Sequence, residues 1–447
     1  MKKGQMITAT IKDLGNSGEG VGVYQGCTVF IDRALPGETV TAMITETHKR
    51  YARASLVQID DPSTDRVVPP CPIFDRCGGC QLMHLSYEKQ LEVKKQKVEA
   101  AFTRIGKLNN VTVASCKPSP SSLHYRNKIQ LPVRIVNQHT TIGLYARRSH
   151  ELVEVEHCLI HCEIGEEAYQ VIHKLVTQAT ISIYDPKTGE GELRHLLIKS
   201  AIHTQQLLVV LVTNQKTPSE KLFQLAKSIM EKCPLVKGVV HNFNNQTNNT
   251  ILGKYYQTLI GNPTINEEVN GLAFKISAAS FFQVNTKQAE ILYEDILQMA
   301  ALNGTETVID AYCGVGTLSL ILAKKAKEVK GVECVEAAIV NAKENALINQ
   351  ITNVSFYCDY AEEFLQKQNQ VDLLLLNPPR QGVAFSLLEK VKKLLPKTII
   401  YISCDPATLA RDLAILYRDG YHIELVQPYD MFPQTAHVET VVKLRRG

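Results

Sequence analysis

Hydrophobic and polar positions follow three different rhythms along this chain. Over residues 1–60 short alternating runs recur: Met6 to Ile11, Val21 to Tyr24, Thr28 to Ile31, Thr39 to Thr45 and Ala54 to Ile59. Glycines at 15, 18, 20, 22, 26 and 37 punctuate them. A period of two broken by turn residues predicts a small five-stranded β-barrel of the OB type. Asp61-Pro62-Ser63 reads as a linker. From Tyr87 to Ile105 the period lengthens, with Leu91, Val98, Ala101 and Phe102 on one stripe, so a helix is expected. Its Lys94, Lys95, Lys97 and Arg104 read as a solvated face. Leu207 to Val212 is an apolar strand, Glu220 to Lys232 an amphipathic helix and His241 to Thr250 a polar loop, which makes the middle an α+β domain.

Beyond residue 265 apolar runs alternate with helical segments, the signature of a doubly wound α/β sheet. The runs are Thr307 to Asp310, Val329 to Glu333, Val354 to Tyr357, Val371 to Leu376 and Thr398 to Ile402. The chain therefore divides into a barrel (1–60), a central domain (61–265) and an α/β domain (266–447), with the helix 87–105 expected to pack on the α/β domain.

Composition narrows the function classes. The 447 residues carry a net charge of only +4, so any basic patch must be local. Trp, the strongest stacking anchor, is absent. No apolar run approaches the roughly 20 residues that span a bilayer, and Met1 to Gln5 lacks the apolar segment of a signal peptide. A cytoplasmic location is expected, in which the 12 cysteines serve as thiols, nucleophiles or metal ligands rather than disulfides.

Three of those cysteines fall within ten residues, Cys71, Cys77 and Cys80, with Gly78-Gly79 between the last two. Zinc usually takes two separated C-x-x-C pairs. A close trio with one distant partner, Cys158 or Cys162, fits a [4Fe–4S] cluster better. Between Lys117 and His150 the chain has six cations (Lys117, Arg126, Lys128, Arg134, Arg147 and Arg148) and no Asp or Glu. His124, Tyr125, Tyr145 and His150 are interleaved. Cations with stacking partners read as an RNA footprint, of which Arg126, Lys128, Arg147 and Arg148 are the chosen contacts. The competing reading is a charged face balanced by Glu151, Glu154 and Glu156.

The α/β domain holds the candidate chemistry. Asp310-Ala311-Tyr312-Cys313-Gly314-Val315-Gly316-Thr317 joins a strand to a helix through a glycine-rich turn, with Ser319 where a dinucleotide fingerprint has its third glycine. Asp310 beside the turn suits a cationic cofactor better than a pyrophosphate. Glu333 ends the next strand, where an acid binds ribose hydroxyls, and Asp359 follows the third strand, placed to meet adenine. S-adenosylmethionine fits these features. Cys404 leaves the strand Thr398 to Ile402 just before Asp405-Pro406, at the strand end where open α/β sheets place reactive groups. Glu439 stands between Val438 and Val441 at the start of the last strand, a costly place for an unused carboxylate.

These motifs resemble the bacterial RNA uracil-C5 methyltransferases. The ribosomal-RNA type, with a TRAM domain and an iron–sulfur cluster, is the most similar. Gly18 to Gly22 and Ala34 to Glu38 resemble the TRAM domain. Cys71…Cys77-Gly78-Gly79-Cys80, Ser280 to Asn285, Asp310 to Thr317, Pro378-Pro379-Arg380, Ser403 to Pro406 and His437 to Thr440 carry the rest. The resemblance implies Cys158 as fourth cluster ligand and Gln283, Tyr312, Thr317 and Glu333 as cofactor contacts. It also implies Cys404 as nucleophile and Glu439 as base. Asn377 is a departure, because the family has Asp before Pro-Pro-Arg, and an amide there loses a charge and acceptor capacity. The implied partner is RNA, ribosomal rather than transfer, and the chain is expected to act as a monomer. Two rivals stand beside this reading. Asn377-Pro378-Pro379 matches the turn of amino-group methyltransferases, although Arg380 replaces the aromatic residue that follows there. A non-catalytic iron–sulfur RNA-binding protein is the other, and it leaves Cys404 and Glu439 without a purpose.

Overall fold

A computed structural model describes all residues from Met1 to Gly447. Its first five strands are β1 (Met6–Leu14), β2 (Gly20–Tyr24), β3 (Cys27–Asp32), β4 (Thr39–Thr47) and β5 (Tyr51–Asp61). They close a barrel in the order β1-β2-β3-β5-β4, with β3 and β5 parallel. Alternation does what the pattern predicts: Ile7, Ala9, Ile11, Val29, Ile31, Val40, Ala42 and Ile44 fill the interior.

The helix α1 (Tyr87–Ala101) ends in a single π turn over Phe102–Gly106. It belongs physically to the C-terminal domain, since Val98, Phe102, Leu108 and Val113 share a core with that domain's sheet. Two of its lysines leave the expected solvated face, while Arg104 remains exposed. Lys94 is 1 % exposed and pairs with Asp430, and Lys97 donates to Asn16 O (2.9 Å) and Ala436 O (2.7 Å). The helix is gripped on two sides, which a one-face reading of its periodicity does not reveal.

The central domain contains β6 (Lys128–Val136), β7 (His139–Tyr145), β8 (Leu152–Glu154), α2 (Glu163–Gln178), β9 (Leu193–Ala201), β10 (Gln206–Thr213), α3 (Glu220–Lys232), β11 (Val236–Phe243) and β12 (Tyr255–Gly261). Its sheet runs β12-β11-β10-β9-β6-β7-β8, and only the β10–β11 pair is parallel. Helices α2 and α3 cover one face. The hairpin β13 (Thr264–Val269) and β14 (Leu272–Ser277) packs Ile265 and Ile276 on the other.

The C-terminal domain follows the doubly wound plan. Its elements are α4 (Thr286–Ala300), β15 (Thr307–Ala311), α5 (Thr317–Ala323), β16 (Glu328–Glu333), α6 (Glu336–Ile348), β17 (Val354–Cys358), α7 (Ala361–Gln366), β18 (Leu373–Leu376), α8 (Phe385–Leu394), β19 (Thr398–Ser403), α9 (Pro406–Arg418), β20 (Tyr421–Tyr429) and β21 (Glu439–Arg446). The sheet order is β17-β16-β15-β18-β19-β21-β20. Both faces are covered, so β18 reads as an unbroken run of leucine: Leu374 and Leu376 face one core, Leu373 and Leu375 the other. The last strand, β21, inserts antiparallel between β19 and β20. No helix is long and apolar enough to cross a membrane.

Candidate active site

Strand register brings Cys404 and Glu439 together. Ser403 pairs with Thr440 across the antiparallel β19–β21 ladder, so one further step sets Cys404 opposite Glu439. Cys404 lies between the end of β19 and the start of α9. There Asp405 caps the helix by accepting from the Ala407 (2.9 Å) and Thr408 (3.1 Å) amides. A thiol at a helix N-terminus is biased toward thiolate. Burial pushes the Cys404 thiol above its ordinary value, and the Glu439 carboxylate pushes it the same way; the nearby Arg380 guanidinium opposes both. Glu439 is 4 % exposed, and burial raises its carboxyl to about 8 against the opposing pull of Arg380. An acid held near neutrality is suited to exchanging protons.

Arg380 is the functional residue that the sequence reading missed, having used it only to argue against an amino-group methyltransferase. Its loop is fixed by α9: Thr408 donates to Arg380 O (3.2 Å), Arg411 to Gln381 O (3.0 Å), and Asp412 accepts from the Val383 amide (2.9 Å). Gly382 adopts φ +77°, and a Cβ there would lie 2.6 Å from the Arg411 and Asp412 side chains. The signal was present in Pro378-Pro379-Arg380, but only the fold shows which way the guanidinium faces.

Two clefts meet at Cys404, Arg380 and His437. The first, of about 750 Å³, opens over the carboxyl ends of β15, β16, β17 and β18. Gln283, Tyr312, Glu333, Asp359, Asn377 and Glu439 all line it. Tyr312 holds φ +82°, a strained conformation for a bulky residue, which puts its backbone amide on Val332 O. Glu333 ends β16, and its carboxylate accepts from the Val335 amide (2.9 Å) and the Cys334 thiol (3.4 Å). The Asp359 carboxylate at the cleft rim is paired with Lys367 (2.8 Å).

Two sequence-derived placements need correction. Thr317 begins α5 behind the turn and does not line the cleft. Asp310 does not face the cofactor side either. It is 1 % exposed and accepts from the Ser319 hydroxyl (2.6 Å), and burial lifts its carboxyl to about 7. The serine in place of a third glycine thus serves Asp310, and Glu333 and Asp359 are the strand-end acids that line the cleft.

The second cleft, of about 540 Å³, lies between the barrel, α1 and the C-terminal domain. Asn16, Lys97, Arg104, Arg380, Cys404 and His437 contribute to its wall. Partial burial, together with Arg380, Lys97 and Lys94, lowers His437 to about 4, so its imidazole is neutral at physiological pH.

The cations predicted to meet RNA also make contacts within the protein. Arg147 donates to Ser17 O (2.8 Å), and Arg148 bonds Asp32 (3.0 Å) and Glu19 (3.2 Å), so both tie the barrel to the central domain. Arg126 turns its Nε to Lys128 O (3.0 Å), and burial lowers the Lys128 ammonium. The partners of Arg147 and Arg148 lie more than 100 positions away in the chain, out of reach of a reading by local charge.

Cys71, Cys80 and Cys158 gather around Phe74, Met83, Tyr125 and Ile160, with Cys77 close enough to repel the Cys80 and Cys158 thiolates. Burial, reinforced by that repulsion, raises Cys158 to about 12 and Cys80 further. The Gly79 amide points at Cys77 Sγ (3.4 Å). Cys162 stands apart, capping α2 beside Ser200. No three His, Cys, Asp or Glu side chains stand close enough to hold a single metal ion.

Comparison with known proteins agrees with this arrangement. Residues 86–447 match the family model for tRNA (uracil-5-)-methyltransferase, and residues 1–57 match the TRAM domain. An uncharacterized RNA methyltransferase of Listeria innocua is 44 % identical over 99 % of this chain and 98 % of its own. One from Clostridium acetobutylicum is 43 % identical over 100 % and 98 %. Among solved structures, the Pyrococcus abyssi tRNA (uracil-54, C5)-methyltransferase in complex with S-adenosyl-L-homocysteine superposes with a TM-score of 0.79 at 26 % identity, covering 98 % of this chain and all of that one. The pairing of Cys404 with Glu439 at the head of a methyltransferase sheet, the barrel beside it and the matches across both place the chain in the tRNA (uracil-5-)-methyltransferase family, as an RNA methyltransferase with an N-terminal TRAM domain.

Proposed function

We propose that this protein methylates C5 of a uridine in 23S ribosomal RNA, using S-adenosylmethionine and a covalent Cys404–uracil adduct. The observation that carries the reading is the facing pair Cys404 and Glu439, with Arg380 beside both, where the two clefts join. S-adenosylmethionine supplies a methyl group on a sulfonium. The first cleft suits it: Glu333 is placed for the ribose, Asp359 for the adenine edge, and the Tyr312 turn, Gln283 and Asn377 close the walls. The second cleft suits the RNA, with Lys97, Arg104 and Arg380 toward phosphate.

Uracil C5 is a poor nucleophile. The Cys404 thiolate adds to C6, the electrons load onto C5 through an enolate, and C5 takes the methyl group. Glu439 then removes the C5 proton, the C5–C6 double bond re-forms, and Cys404 leaves as thiolate. Arg380 offsets the two negative charges that Cys404 and Glu439 would otherwise press against each other. The target base must leave its stack to reach Cys404.

Cys71, Cys77, Cys80 and Cys158 are proposed ligands of a [4Fe–4S] cluster. The support for this reading is the close trio Cys71, Cys77 and Cys80 with Cys158 brought into the same partly buried neighbourhood. Arg126, Lys128, Arg147 and Arg148 are proposed RNA contacts, of which Arg147 and Arg148 also tie the barrel to the central domain.

A second target has specific support: the solved structure that matches along its whole length is that of a transfer-RNA enzyme. The combination of TRAM domain and cysteine motif favours ribosomal RNA. Mass mapping of 5-methyluridine in both RNAs from a strain lacking the gene decides. Loss from 23S RNA alone is expected; loss from transfer RNA alone overturns the assignment.

A further inference from the structure

The loop between β20 and β21, residues 430–438, carries Phe432 and His437 and leads into Glu439. Its backbone is held mostly from outside its own sheet. Gln434 O accepts from the Gln81 and Leu82 amides (both 2.9 Å), directly after Cys80. The Gln434 amide donates to Gln90 Oε1 (3.1 Å), and Gln90 Nε2 donates to Gln434 Oε1 (3.0 Å), Leu82 O (3.1 Å) and Leu85 O (2.9 Å). The Gln434 side chain reaches on to Ser122 O (3.2 Å), and Tyr125 donates to Pro433 O (3.0 Å). Lys94 bonds Asp430 and Phe432 O (3.1 Å), and Lys97 bonds Ala436 O (2.7 Å).

Gln434 itself sits at φ +67°, a conformation that favours glycine, and is 6 % exposed. A buried glutamine kept in a strained backbone state persists only where its surroundings over-determine it. Gln90 is 1 % exposed, and all its hydrogen-bonding capacity goes to the cysteine segment and to Gln434. Neither residue touches either cleft.

We propose that Gln90 and Gln434 are positioning residues that join the cysteine segment 77–85 and the loop 430–438 into one mechanical unit, so that the conformation of the cysteine segment sets the position of Glu439. This deepens the proposed function and rests on Glu439 being the base. Cys404 is held by β19 and α9, outside the unit, whereas Glu439 follows the loop directly, so disturbing the unit displaces the base more than the nucleophile and impairs proton removal before addition to C6.

The test is the Gln90→Met variant, which keeps length and apolar volume and removes every hydrogen bond. Three quantities are measured on the full-length protein: S-adenosylhomocysteine affinity, the rate of adduct formation with 5-fluorouridine RNA, and the fraction of enzyme held covalently during turnover of ordinary uridine RNA. Affinity and the 5-fluorouridine rate should match wild type, while turnover falls about 10- to 100-fold and the ordinary-uridine adduct accumulates. Cys80→Ser should give the same pattern, and the double variant should be no worse than the worse single one.

Gln434→Gly, which relieves the strain and keeps the backbone bonds, serves if Gln90→Met does not fold; the same partition is expected at smaller size. Wild-type turnover in whichever of these variants folds overturns the proposal, as does a parallel fall of affinity and adduct formation, the mark of general destabilisation. Glu439→Gln in the same assay separates the two levels. If it fails to accumulate adduct, the base assignment is wrong; if it accumulates and Gln90→Met does not, only the coupling is wrong.

Discussion

Two seven-stranded sheets make up most of this protein, and only one carries the candidate active site. The central sheet is antiparallel except at β10–β11; β9 is buried from end to end and β10 at all but its first residue. Its two helices, α2 and α3, lie on the same face, so no neighbouring strands send helices to opposite faces. In the C-terminal sheet β15, β16, β17, β18 and β19 are parallel, and the order reverses between β15 and β18. The chain leaves β15 for one face and β18 for the other, and a crevice opens over the strand ends. Glu333, Asp359, Asn377 and Cys404 all follow or end those strands. Both sheets contain fully buried strands, β9 in one and β18 in the other; topology makes the difference. The one antiparallel insertion, β21, then adds what the parallel strands lack: a carboxylate opposite the thiol.

The contrast is broken most severely by Cys404→Ala, which should abolish turnover while S-adenosylhomocysteine binding, measured calorimetrically, persists. Glu439→Gln should lower turnover about 10²- to 10⁴-fold, the usual share of a general base. In the wild type Glu439 must be ionised to act, and its carboxyl is raised to about 8, so it is mostly protonated below that pH. Raising the pH therefore increases the rate of proton removal, which should level off above about 8; a rate that falls with rising pH between 6 and about 8 would contradict the assignment. Glu333→Ala removes a charged acceptor at the end of β16 and should weaken cofactor binding about 10- to 100-fold.

Arg148→Glu sharpens the comparison on the barrel side. It turns two attractive contacts, with Asp32 and Glu19, into repulsive ones at a half-exposed site, so about 1 kcal/mol of barrel docking should be lost. Protease susceptibility of the 1–60 segment reads this, with cofactor affinity unchanged. Leu211→Ala in the central sheet should have the smallest effect on chemistry. It costs about 2–5 kcal/mol of stability through the cavity it leaves, yet kcat per folded molecule should stay at the wild-type value. A fall in kcat would mean that the central sheet takes part in catalysis.

Much of the site could be read in the sequence because strand ends announce themselves. Thr398 to Ile402 is an apolar run stopped by Cys404-Asp405-Pro406, and Glu333 closes another, so both residues could be placed at the sheet's working edge before any fold was known. The barrel was legible for the same reason: alternation and turn glycines are local signals. What escaped the sequence reading depends on distance along the chain. Lys94 looks like a solvated lysine until Asp430, 336 residues later, is folded against it. Arg147 and Arg148 look like free cations until the barrel supplies Asp32 and Glu19. Asp310 looks like a ligand because it precedes the glycine turn, yet Ser319 takes its carboxylate. In each case a charged group was assigned to solvent or ligand while a buried partner claimed it, as burial of an unpaired charge demands.

The account stands or falls on whether Cys404 attacks the base. RNA carrying 5-fluorouridine at the target position tests this directly, because fluorine cannot leave as a cation and Glu439 has no proton to remove. The wild-type protein with S-adenosylmethionine should transfer one methyl group and remain covalently joined to the RNA through Cys404. The joined species should be visible on a denaturing gel and give a Cys404 peptide carrying methylated fluorouracil in mass spectrometry. Absence of that species from an enzyme that methylates ordinary uridine RNA, or an equal yield of it from Cys404→Ala, would contradict the mechanism.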